Sequence, residues 1–294
     1  MKKWLVIFIL LLTVWIWSFF ATKNLSDRVR KITPIVNGDK YADRDVYLPN
    51  NLKYDIASEN GICPSDNFEF AKGLVSLTFD DGWKEIYLNA IPMLNRYEIK
   101  STQYVNIHDP IENTSKFMTV NDVLNMERIG HEIGSHAIHH KRFTELNNEE
   151  IVAELMESRK KLLKMGVKSV NTFAYPYGEY TDYSVKLSRE SDYIGVRVAI
   201  PGMNDRKTDK FLLYGYQLEN WMVFDPYLKR LVDRAVAERK WLVIIFHQVA
   251  KPDYQFYTSP QNLKLLISYL IENRVPVMTV RDVIRQCYEK SKRG

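Results

Sequence analysis

From residue 73 to about 288, short runs of β-branched and aromatic residues alternate with stretches whose apolar positions recur every three or four residues. LVSLTF (74–79) reads as a buried strand, after which Trp83, Ile86, Tyr87, Ala90, Ile91 and Leu94 fall at helical spacing. STQYVNI (101–107) is a second strand. Thr119 and Asp122 stand as N-cap and third residue of a helix that Gly130 closes. Residues 131–135 form a short strand, and Asn147 caps a helix with Ile151, Leu155 and Leu162 on one face and Gly166 past its end. VNTFAY (170–175), a helix near 180–190, YIGVRVA (193–199), FLLYGYQL (211–218), a helix over 225–240 and WLVIIFH (241–247) follow. Ser259-Pro260 opens another helix, and PVMTV (276–280) and a last helix close the chain. Such alternation predicts an α/β fold with a parallel sheet covered by helices, doubly wound or closed into a barrel; periodicity leaves both open. In either case the chemistry belongs beyond the C-terminal ends of the strands.

The first 70 residues have a different texture. Lys2-Lys3 precede an uncharged run over 4–21, about 27 Å long as a helix, which predicts a transmembrane anchor in the lipid bilayer; a cleaved signal peptide is the rival. Residues 1–22 are then the anchor, 23–70 a linker and lead-in broken by Pro34, Asn37-Gly38 and Pro49, and 71–290 the α/β body. A three-residue tail before the anchor places the body outside the cytoplasm, although the Lys/Arg balance around the run leans the other way. The chain carries 41 Lys and Arg against 36 Asp and Glu, but residues 71–280 hold 27 against 26, so the body shows no charge that would recruit nucleic acid. Cys63 and Cys287 are open to pairing or to two unpaired thiols.

Three strand ends carry residues an inert loop does not need. The first runs into Asp80-Asp81-Gly82, whose adjacent carboxylates repel each other unless a cation or a turn employs them. The third leads into Gly134-Ser135-His136-Ala137-Ile138-His139-His140, where His136 and His140 share a face if the segment makes one helical turn. The strand over 241–246 delivers His247. One carboxylate and two imidazoles make a three-ligand catalytic zinc set with room for water; a second carboxylate can then act as base and a histidine as acid.

TFDDG, HAIHH, FAYPYG and an apolar strand ending in FHQ, in that order, resemble the polysaccharide deacetylase (NodB-homology) domain of carbohydrate esterase family four over roughly 71–285. The resemblance implies a distorted (β/α) barrel, usually of seven strands, and metal-dependent hydrolysis of acetyl groups on sugars. It assigns Asp80 as general base, Asp81, His136 and His140 as metal ligands, His247 as general acid, and the Tyr177 backbone N–H as an oxyanion donor. Trp83 offers a floor for a sugar ring or first-turn packing, and Tyr175 and Pro176 are candidate substrate contacts. The expected metal is Zn2+, with Co2+, Ni2+ or Mn2+ as alternatives, and the expected partner an N-acetylated polysaccharide or oligosaccharide of the cell wall or extracellular space. An O-acetyl esterase and an inactive glycan-binding module are the competing readings. Two features depart from the family. The Arg that commonly opens the third motif beside the catalytic Asp is Ala174 here, with Arg197 the nearest cation by topology. The Asp and Trp that position the acid histidine have no match, Asp209, Asp225 and Trp221 lying in the region without the pattern. His139 points off the site on this reading, His108 belongs to a solvated loop, and His131 is structural.

Overall fold

The computed structural model describes residues 73–107, 115–218, 224–250 and 256–291. The 4–21 run, the 23–70 lead-in, Cys63, His108 and Trp221 lie outside the described residues, as do the side chains of Asp225 and Cys287. Among the described residues no helix is long and apolar enough to cross a membrane.

Seven strands form one sheet whose pairs are all parallel: β1 (Leu74–Phe79), β2 (Thr102–Val105), β3 (Glu132–Ser135), β4 (Thr172–Ala174), β5 (Gly195–Arg197), β6 (Tyr216–Gln217) and β7 (Trp241–Phe246), in the order β5-β4-β3-β2-β1-β7-β6. Leu213, just before β6 at one edge, exchanges backbone bonds with β5 at the other (Leu213 N to Val196 O, 2.9 Å; Val198 N to Leu213 O, 2.9 Å). The sheet is therefore curled until its two edges share this segment, the barrel-like form expected. FLLYGYQL splits for that reason: its first half serves one edge and only Tyr216–Gln217 the other. Similarly, PVMTV contributes a single bridge, Val277 to Val75, where β1 and β2 have splayed apart. A two-stranded parallel pair, β8 (Gln248–Val249) and β9 (Tyr257–Thr258), follows β7.

Alternation along the strands sorts residues between two layers. Val75, Leu77, Phe79, Leu242, Ile244 and Phe246 join the large core under the helices. Leu74, Trp241, Val243 and Leu213 belong to a second cluster with Val280, Val283 and Ile284. The last three come from the final helix, Val280–Ser291, which covers the bottom of the curl. The helices begin where their caps predict. Thr119 and Asp122 form a reciprocal capping box for α2 (Val120–Arg128), as do Asn147 and Glu150 for α3 (Asn148–Val152). The first helical turns after β1 are α1 (Ile91–Arg96), entered through a wide turn over Ile86–Ala90. A wide turn over Ala153–Glu157 also joins α3 to α4 (Ser158–Lys164), and another over Phe224–Leu228 replaces the start of the helix expected from 225. Such π turns insert an extra residue and re-aim the helix face.

Candidate active site

The candidate chemistry sits at or just past the C-terminal ends of β1, β3, β4, β5 and β7. Phe79 and Phe246 pair in register and their rings stack at 4.9 Å, so Asp80 leaves β1 beside the point where His247 leaves β7; Asp80 N donates to Phe246 O at 2.9 Å. His136 follows β3, the Tyr175-Pro176-Tyr177 turn follows β4, and Arg197 ends β5.

Asp81, His136 and His140 converge. Asp81 Oδ1 lies 3.4 Å from His136 Nε2 and 3.1 Å from His140 Nε2, and the three ligand atoms all fall within 4.8 Å of one another. Around a four-coordinate zinc with bonds of about 2.0–2.2 Å, ligand atoms stand roughly 3.3–3.5 Å apart, so the set fits such an ion. Two of the three ligands, His136 and Asp81, are fixed from behind. His136 Nδ1 donates to the Ala174 carbonyl at 2.7 Å, which settles the tautomer and turns Nε2 toward the site. The Trp83 indole N–H donates to Asp81 Oδ2 at 2.9 Å, leaving Oδ1 for the imidazoles. Burial raises the Asp81 carboxyl, but His136 and His140 outweigh it and hold the group well below the usual carboxylate range. The backbone is bent to achieve this: Asp81 (φ 70°), Ala137 (φ 67°), His140 (φ 52°) and Tyr177 (φ 59°) all adopt the left-handed conformation that side chains disfavour.

Asp80 is separate from that set. Its Oδ2 accepts from Arg197 Nη2 at 2.5 Å, both side chains being buried, and its Oδ1 has no hydrogen-bond partner among the described residues. Arg197 is the cation anticipated from topology, and the register explains how it reaches the site. Ala174 pairs with Arg197 across β4 and β5, so the two Cβ atoms point to the same face about 4.8 Å apart. A guanidinium moved one strand over still meets Asp80, supported by the Tyr104 ring 5.1 Å from its centre. Burial pushes His247 below its ordinary range, partly opposed by the charges of Asp81 and Asp80. Its Nδ1 has no hydrogen-bond partner among the described residues. Asp209 does not serve it, being bound to Arg189 at 2.5 Å.

The proposed substrate contacts resolve differently. Trp83 is buried against Phe117 (ring centres 4.7 Å apart) and works from behind Asp81, so it is not an exposed floor for a sugar. Tyr175 is 1% exposed, packed among Phe143, Phe173 and Tyr180 with its hydroxyl near Ser188, and Pro176 is buried as well. Neither is open to substrate, because the residue ahead of the turn points into the core and only Tyr177, half exposed, emerges. Its ring lies 4.6 Å from that of His140, with the Arg142 guanidinium 4.1 Å from its centre. His139 turns away from the metal set onto Glu154, and His131 is buried against Ser101. Glu154 itself escaped the sequence reading. The signal was there: three residues after Ile151 it falls on the apolar face, where a charge needs a partner.

Residues 69–196 match the family model described as polysaccharide deacetylase. A Bacillus subtilis (strain 168) protein, provisionally named a polysaccharide deacetylase, is 27% identical over 161 residues, covering 53% of this chain and 57% of that one. A Staphylococcus aureus (strain MSSA476) protein named poly-β-1,6-N-acetyl-D-glucosamine N-deacetylase is 24% identical, covering 49% of this chain and 56% of its own. The chain thus spans a little over half the length of these curated relatives. Among solved structures, the family-four esterase domain of a multidomain xylanase from the hindgut metagenome of Trinervitermes trinervoides superposes with a TM-score of 0.54 at 20% identity, over 73% of this chain and 91% of that domain. At that identity the likeness establishes the shared fold.

Proposed function

We propose that the chain hydrolyses N-acetyl groups on a glycan containing N-acetylglucosamine, outside the cytoplasmic membrane, with zinc at Asp81, His136 and His140. The observation that carries this reading is one constellation: a three-ligand set beside a separate carboxylate that Arg197 holds by one oxygen. When bound, the metal supplies Lewis acidity, polarising the acetyl carbonyl and making water acidic enough to attack. Asp80 takes the proton of that water on Oδ1, the oxygen Arg197 leaves open. The tetrahedral oxyanion is assigned to the Tyr177 backbone N–H, a role supported by the ring packing that fixes Tyr177 beside His140. His247, in its protonated form, gives its proton to the sugar nitrogen as the C–N bond breaks. Acetate and a free amine leave. The Staphylococcus aureus relative favours β-1,6-linked poly-N-acetylglucosamine as the polymer to try first.

Acetate release by the whole chain, with and without chelator, from poly-N-acetylglucosamine, chitooligomers, peptidoglycan and acetylated xylan tests the proposal. Release from an amide-bearing glycan, abolished by chelator, is the expected result. Release from acetylated xylan alone would make the enzyme an esterase, and no release from any would return the domain to glycan binding. His136→Ala and His140→Ala should lose both metal and turnover, whereas Asp80→Asn should keep its metal and lose about 10²–10⁴-fold in rate.

A further inference from the structure

We propose that Glu154 is a positioning residue for the metal site, acting through the backbone of the turn that carries His140; the inference rests on the metal reading of Asp81, His136 and His140. Glu154 is 3% exposed and its carboxylate is fully engaged with that turn. Oε2 accepts from Ile138 N at 2.7 Å and His139 N at 2.9 Å, while Oε1 meets His139 Nδ1 at 2.6 Å. A buried carboxylate persists only where such bonds replace its water. The residues flanking the two bonded amides, Ala137 and His140, are the ones in left-handed conformation, and neither is glycine. The turn therefore depends on an external partner to keep His140 aimed at Asp81.

Helix packing supplies that partner with a fixed reference. Ser158, one turn beyond Glu154, receives the Ser135 hydroxyl at 2.8 Å, so the segment grips β3 immediately before His136 and the turn immediately after it. Ile151, Leu155 and Leu162 bury the same face in the core. The π turn over Ala153–Glu157 lies where Glu154 is presented, a common site for functional bulges.

The test uses the whole chain and the metal alone as probe. Zinc and cobalt affinities are measured by competition with a chromophoric chelator, and ligand geometry by the visible absorption of the cobalt form, for wild type, Glu154→Ala, Glu154→Gln and His139→Ala. Glu154→Ala should weaken metal binding about 10–100-fold, the usual effect of removing an outer partner of a metal ligand, and shift the cobalt bands. Glu154→Gln keeps one carbonyl acceptor and should lose less. His139→Ala keeps both backbone bonds and should bind almost as wild type. A folded Glu154→Ala protein with wild-type affinity and cobalt spectrum overturns the proposal. If Glu154→Ala fails to fold, Glu154→Gln decides, and unchanged affinity and spectrum in that variant overturn it equally. A wild-type chain that takes up no metal would overturn the metal reading itself, whereas wild-type binding unmatched by any change in the variants removes Glu154 alone.

Discussion

Acid should unfold this domain partly through His131. The side chain is 1% exposed; Ser101 N donates to its Nδ1 at 3.2 Å and Nε2 faces Asn95 Oδ1 at 3.3 Å, so the native ring is the neutral tautomer. Burial, reinforced by the Lys100 charge, pushes its pKa down to about 4, against about 6.5 in an unfolded chain. Because the folded value is the lower one, the unfolded state binds the proton first. The associated stability is fully present above about pH 6.5 and drains away as pH falls toward 4. A gap of two to three pKa units at about 1.4 kcal/mol each caps the loss at about 3 kcal/mol, most of it already gone at pH 4.5. His131→Asn places a non-titrating acceptor where Nδ1 stands. It will cost stability at neutral pH, but its stability should fall less steeply with acid than that of the wild type. Urea unfolding of both proteins at pH 7.5 and pH 4.5 reads the comparison, since carboxylates common to the two cancel in the difference. Curves that fall in parallel, with the wild-type to variant gap unchanged within about 0.5 kcal/mol, would refute a buried neutral His131.

Three further outcomes follow from the barrel interior. Arg197→Ala leaves Asp80 buried without its cation, which typically costs about 3–5 kcal/mol, and should lower both the Tm and the deacetylation rate. Adding Ala174→Arg to that variant returns a guanidinium from the paired position, so the double variant should deacetylate faster than Arg197→Ala alone; no recovery would mean that position along β5, not charge beside Asp80, is what matters. In β3, a Cβ on Gly134 would stand 2.6 Å from the Tyr104 ring and 2.9 Å from Thr172 Oγ1, so Gly134→Ala should cost about 1–3 kcal/mol of stability by thermal unfolding, and a wild-type Tm would show that the ring moves freely.

Chain order alone carried the strand–helix alternation, the helix caps at Thr119 and Asn147, and the chemistry-bearing ends after β1, β3 and β7, because each depends on neighbours a few residues apart. It also offered Arg197 as the nearest candidate by topology for a cation beside Asp80. Whether that side chain faced Asp80, the helices or solvent was a matter of strand parity and register, fixed only when Ala174 came to lie opposite Arg197. The same limit applied to Trp83, Tyr175 and Pro176, whose residue types suit a sugar site. Their direction was decided by packing, with Trp83 drawn under Asp81 and Tyr175 into the Phe143–Phe173 cluster. The split of 211–218 between two sheet edges required the sheet to curl, a property of seven strands together and of none singly. Glu154 marks the boundary most clearly. Its place on an apolar helix face is written in the spacing from Ile151, but its partners, the amides of Ile138 and His139, lie about 15 residues away and meet it only when the helix has docked on β3.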